Sequence, residues 1–320
     1  MRLLRVELTR FATRRAVIVV VLATLVLTCV MAAAAAYNTR PASGTEQETA
    51  ERMMLRQEQL NEADYQECLK DPEGYFDAGI PADTCESLRP ELSWLLPRPE
   101  LELAAEVTGR GRVLLVLLAG MAVLVGAFFA GRDWTTGSMA TQLLHEPRRI
   151  RVWLTKAVAV MIGAVVSAAV MLAVFWGALA LFAHDRGIGP TSDAWRLVGE
   201  TSGRGLALVA AVALGGFALT MGLRHTVATL GLLFGYAVVG EALAASLPFE
   251  KMSQWSLANN LLAWVHDGFE VRDGSLCAGT VETCSPFYTL TLHHAAVYLG
   301  GLLLLAVVIS LVTFRRRDLP

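Results

Sequence analysis

Two runs of this chain carry no charged side chain: Ala16–Ala36, 21 residues, and Ala157–Ala183, 27 residues. A bilayer's hydrocarbon core is crossed by about 20 apolar residues rising 1.5 Å each. Within it only a helix or a closed barrel satisfies the backbone. Four further blocks follow the same pattern: Val113–Ala130, Gly205–Leu223, Thr226–Leu247 and Leu290–Phe314. The second block in chain order is short at 18 residues, the fifth carries Glu241 near its far end, and the sixth carries His293 and His294 at its start. The 54% hydrophobic content exceeds the roughly 45–50% of soluble domains. The expected fold class is all-α, a polytopic membrane protein with six transmembrane helices.

Charge orients the spans. The start, the stretch Gly131–Lys156, the Arg224 turn and the end together hold 14 Lys/Arg against four acids, while the opposite side holds 13 basic residues and 24 acids, Glu241 set apart. Basic residues in short flanking loops stay cytoplasmic, so both termini are expected in the cytoplasm. The division runs 1–15 interfacial helix, 16–36 first span, 37–111 extracytoplasmic loop domain, 112–130 second span and 131–152 cytoplasmic strip. It continues 153–183 third span, 184–204 outer loop, 205–223 and 226–247 fourth and fifth spans, 248–289 outer loop, 290–314 sixth span and 315–320 cytoplasmic tail. The first 36 residues also have the outline of a secretory signal. Their apolar run outlasts the 7–15 residues of a signal core, so it is read as a retained span with Cys29 as a small filler.

The other four cysteines fall on the outer side, where oxidation favours disulfides. Three pairings are possible; the expected ones are Cys68–Cys85 and Cys277–Cys284. The first loop, from Tyr37 to Gly109, holds 16 acids and six basic residues. Strong helix formers fill Glu46–Leu69, a second helical stretch starts near Pro99, and Pro72, Gly74, Gly79, Pro81 and Pro90 interrupt between them. A small, mostly helical, disulfide-stapled cap is expected, with Trp94, Leu95 and Leu96 at the membrane surface. In the last loop a short helix is expected around Ser256–Val265, followed by turns at Asp267-Gly268 and Asp273-Gly274.

On the inner side, Leu4, Leu8 and Phe11 form a stripe among arginines, as in a helix lying in the headgroup layer; a disordered basic tail is the alternative. In the central strip, Gln142-Leu143-Leu144 suggests one or two helical turns, stopped by Pro147. Arg148, Arg149, Arg151 and Lys156 lead into the third span. Such a helix can lie across the inner face, held by arginines to phosphates, and offer its free edge to a soluble partner. An ordinary positive loop would carry the same charge.

The spacing narrows this choice. Asp133, then Gly137-Ser138, then Pro147-Arg148-Arg149-Ile150-Arg151-Val152, then Lys156 resembles the ABC type-2 permease family. In that family this segment joins the second and third of six spans and docks on an ATP-hydrolysing subunit. The family's usual Glu is Asp133 here, and its common Gly-Thr is Gly137-Ser138. The long cysteine-bearing first loop is not a family feature. The resemblance implies an exporter subunit in a bacterial cytoplasmic membrane. Its partners would be a separate ABC ATPase carrying ATP and magnesium and a second permease copy or paralogue. No nucleic acid is expected. It also implies that Asp133, Gly137, Ser138, Pro147, Arg148, Arg149, Arg151 and Lys156 couple to the ATPase, with no catalytic residue and no cofactor in this chain.

None of the three lysines, Lys70, Lys156 and Lys251, follows a glycine, so there is no phosphate loop of the Gly-x-x-x-x-Gly-Lys kind. His145-Glu146 lacks a second histidine at zinc-protease spacing, and no metal site is expected. Gly231 and Gly235 form a Gly-x-x-x-Gly suited to close helix approach, either at a subunit interface or inside the chain. Glu241 is expected near the outer boundary, reaching headgroups or water, or lining a substrate path or coupling a proton. Two other classes stay open. One is a non-transporting sensor or immunity component with a ligand-binding outer cap. The other is an ion-coupled transporter, which needs buried charged pairs near the midplane.

Overall fold

The computed structural model describes residues 2–71, 82–189, 191–246, 251–273 and 287–316. Among these residues six helices are long and apolar enough to cross a membrane, so the chain is a helical, multi-pass architecture. They are α2 (Arg15–Asn38), α4 (Leu103–Thr135), α6 (Arg149–Asp185), α7 (Ser192–Leu223), α8 (Thr226–Leu243) and α10 (Leu292–Arg316). The remaining labelled helices are α1 (Arg2–Thr13), α3 (Gly44–Lys70), α5 (Ser138–His145) and α9 (Leu257–His266). Three of the spans are longer than their apolar blocks. α4, α6 and α7 run 33, 37 and 32 residues, each continuing past its apolar block into charged end turns. The second helical stretch expected near Pro99 is the start of α4.

The core is the seam where α4, α6 and α7 meet. Small residues let backbones touch there, which is how helices gain packing energy where lipid offers no hydrophobic drive. A Cβ at Gly216 would sit 2.7 Å from the Val123 carbonyl oxygen, and one at Gly126 would collide with the carbonyl of Ala213. Trp153 donates its indole N–H to Ser310 Oγ at 3.1 Å, tying α6 to α10. Within α2, the Thr24 and Thr28 hydroxyls donate to the carbonyls of Val20 and Thr24, both at 2.9 Å, so neither polar group is stranded. Arg186, after α6, donates to the last carbonyls of α2, Ala36 at 2.8 Å and Thr39 at 2.6 Å.

Beyond that end, α3 starts with a capping box in which the Glu46 amide donates to Ser43 Oγ and Glu46 Oε2 accepts from the Ser43 amide. Arg98 donates to the same carboxylate at 2.6 Å. Together these hold Glu46 far below the usual carboxylate range, at about 2. The Cys68–Cys85 disulfide joins the end of α3 to the short 3-10 helix Ala82–Leu88. Cys277 and Cys284 lie outside the described residues. Cys29 is exposed on the flank of α2. The last loop holds the expected helix as α9, and also an antiparallel ribbon of β1 (Phe269–Arg272) and β2 (Phe287–Leu290), with Phe269 opposite Leu290. Asp267 has a left-handed φ of 63° and ends α9 at the expected turn.

Candidate functional site

Four charged side chains meet at the end of the bundle where α2 begins and α4 finishes. In α1, Glu7, Arg10 and Phe11 stand at i, i+3 and i+4, one face of a helix, and Arg14 follows as the extended residue between α1 and α2. Phe11 seats that face: its ring lies 5.8 Å from that of Phe129 on α4 and occupies the space left by Gly163 on α6. The seat carries Glu7 inside, where it is fully buried. Asp133 arrives in the last turn of α4 and Lys156 in the second turn of α6, both buried as well.

Lys156 Nζ donates to Glu7 Oε2 at 3.0 Å and to Asp133 Oδ2 at 2.6 Å. Arg14 donates to the second Asp133 oxygen and to the Phe129 carbonyl. On α5, Gln142 Nε2 donates to Glu7 Oε1 at 2.7 Å and Ser138 Oγ donates to Asp133 Oδ1 at 3.1 Å. Arg10 adds an N–H to Glu7 Oε1 at 3.2 Å. All four carboxylate oxygens therefore accept a hydrogen bond. Removing an ion from water costs several kcal/mol, and only such complete pairing offsets it. The Phe129 ring helps, with the Arg14 guanidinium 4.2 Å and the Lys156 ammonium 5.5 Å from its centre. Three cations, buried Lys156, part-buried Arg14 and the more exposed Arg10, answer the two carboxylates. The arrangement is a mechanical joint that fixes α1, α4, α5 and α6 to one another.

The residues singled out along this strip separate into two sets. Asp133, Ser138 and Lys156 turn inward to the joint. Gly137 takes a left-handed φ of 68°, which lets α5 leave the end of α4. Exposed Pro147 separates α5 from α6. Arg149 donates to the Phe314 and Arg315 carbonyls at 3.3 and 3.2 Å, capping the end of α10. Arg151 pairs with Glu146 at 3.4 Å and stays exposed, as does Arg148. Leu144 is 84% exposed on α5. Glu7, Arg14 and Gln142 are not marked as site residues by the sequence reading. The available signal was Glu7 itself, the only acid before Glu46 in an arginine-rich start.

The other candidates lie elsewhere. Glu241 accepts from Ser256 Oγ at 2.6 Å and from the Ala258 amide at 3.0 Å, so its carboxylate caps α9. A Cβ at Gly231 or Gly235 would meet no other described residue within 4 Å, so this motif faces away from the chain's own core. His293 is exposed, and His294 lies beside Trp255 with ring centres 5.9 Å apart. Among the described residues no three His, Cys, Asp or Glu side chains converge as metal ligands would. No protein-family model, curated protein or solved structure matches the chain.

Proposed function

We propose that this chain is the membrane subunit of an ABC exporter of the type-2 permease kind in a bacterial cytoplasmic membrane. Both termini and the joint lie on the cytoplasmic side, and the α3 cap lies outside. ATP is bound and hydrolysed on a separate subunit, and a second permease copy or paralogue completes the transporter. The observation that carries this reading is the mounting of α5. This short helix bridges the second and third candidate spans with its Leu144 turned outward, and Arg148 and Arg151, between it and the first turn of α6, are exposed beside it. Its inner face is bound through Ser138 and Gln142 to the buried charges. A push on that outward face reaches α1, α4 and α6 together, as a coupling element must. The buried charges sit at the end of the bundle rather than at its midplane, which favours this reading over ion coupling.

The test is capture of the full chain from its native membranes, followed by ATP hydrolysis with and without the chain. Leu144→Ser with Arg148→Glu should abolish co-purification of an ATPase and its stimulation while leaving the thermal midpoint unchanged. Unaltered co-purification together with unaltered stimulation would overturn the coupling role. Transport into inverted vesicles separates the exporter from a sensor.

A further inference from the structure

Beside the joint, a cleft of about 430 Å³ opens between α1, the start of α2 and the end of α4. Four arginines line it, Arg10, Arg14, Arg15 and Arg132, with Thr136 and Ser138 on the remaining wall. The joint engages two of them: Arg14 holds Asp133, and Arg10, 43% exposed, holds Glu7. Arg15 and Arg132 are exposed, and neither has an acidic partner among the described residues. Counting Lys156 behind the floor, five cations face two carboxylates, Glu7 and Asp133, which leaves three positive charges. Such an excess, gathered in a concave site rather than spread over a surface, fits a phosphate group.

Depth selects the source of that phosphate. Arg15 is the first residue of the α2 span, and Arg132 lies in the last turn of α4. Both mark the boundary of the hydrocarbon layer, where lipid phosphates lie. The start of α5 at Ser138 adds the positive end of a helix to the same wall. We infer that this cleft binds the phosphate of an anionic phospholipid, with Arg15 and Arg132 gripping the headgroup. The bound headgroup then holds α1 against the first and second spans. This site depends on the chain spanning a bilayer, and not on what drives transport.

The probe is spin-labelled phosphatidylglycerol, with the full chain in phosphatidylcholine nanodiscs and the immobilised fraction as readout. Arg15→Gln with Arg132→Gln should weaken binding about 25-fold, as expected for two basic contacts of roughly fivefold each. A control pair with the same charge change, Arg5→Gln with Arg316→Gln, lies outside the cleft and should stay within about twofold of the wild type. Should the double glutamine variant fold poorly, Arg15→Lys with Arg132→Lys keeps the charge, loses the forked donors and should still bind measurably more weakly. Equal losses in the cleft and control pairs, or no loss in the cleft pair, would overturn the site. Displacement of the lipid by inorganic phosphate at comparable concentration would overturn the lipid assignment in favour of a soluble phosphate.

Discussion

The two ends of α4 each bury a carboxylate and solve the problem differently. At the joint, both oxygens of Asp133 are taken, by Lys156, Arg14 and Ser138. At the opposite end Glu106 is 7% exposed and one oxygen pairs with Arg110, but Oε2 has no partner among the described residues. Arg112 Nε, Trp176 Nε1 and His266 Nε2 are also buried there without partners. The helix itself slackens between these groups, turning as a π-helix over Val107–Gly111. A fully satisfied polar network rigidifies, whereas a partly satisfied one leaves its elements freer to re-pair. π-turns commonly mark such places. One helix thus has a clamped end and a loose end, as a lever does.

The largest test of this contrast is Lys156→Met. It strands Glu7 and Asp133 in the core and should cost about 3–5 kcal/mol, the usual loss when one partner of a buried pair is removed. Adding Glu7→Gln and Asp133→Asn should recover much of the loss. Unfolding in detergent gives the values, and a loss below about 1 kcal/mol would mean that the joint is solvated. Glu106→Gln should be far milder, under about 1 kcal/mol, because the amide oxygen still accepts from Arg110 and the Oε2 that has no partner is replaced. A loss matching that of Lys156→Met would erase the difference between the ends.

The smallest effect is one of pH. Burial, and then the charge of Arg112, hold His266 below its ordinary 6.5. Below about pH 6.5 the unfolded chain therefore takes up a proton that the folded one resists. Stability from this group is complete above that pH and declines as pH falls through the window beneath it. Thermal midpoints taken from about pH 7 down to about pH 5 should drop in the wild type and flatten in His266→Gln. Identical profiles would remove His266 from the loose end.

The spans were legible in the sequence because a charge-free run longer than a bilayer's width has few other uses. Their ends were not legible. Residues 149–152 and 192–204 carry charges that look like loop, and the helical stretch expected near Pro99 reads as part of the outer loop rather than as the start of α4. Lys156 resembled a surface contact because local spacing is silent about Glu7, 149 positions earlier. Glu241 reads as a group needing protein or water, and its partner is the start of α9, which no periodicity in its own helix reveals. The Cys68–Cys85 bridge was readable from compartment and spacing alone. The β-ribbon was missed because its two strands, of four residues each, are too short to display alternation.

The meeting of Glu7 and Lys156 also sets an order of events during synthesis. A nascent chain exposes its amino-terminal acid long before the ribosome has delivered the lysine that neutralises it. Until the third span has entered the bilayer, α1 has no berth and must wait at the interface. Ribosomes stalled just short of Lys156 should therefore hold a chain whose first helix a protease can still reach, and release of a chain long enough to insert the whole third span should close that access.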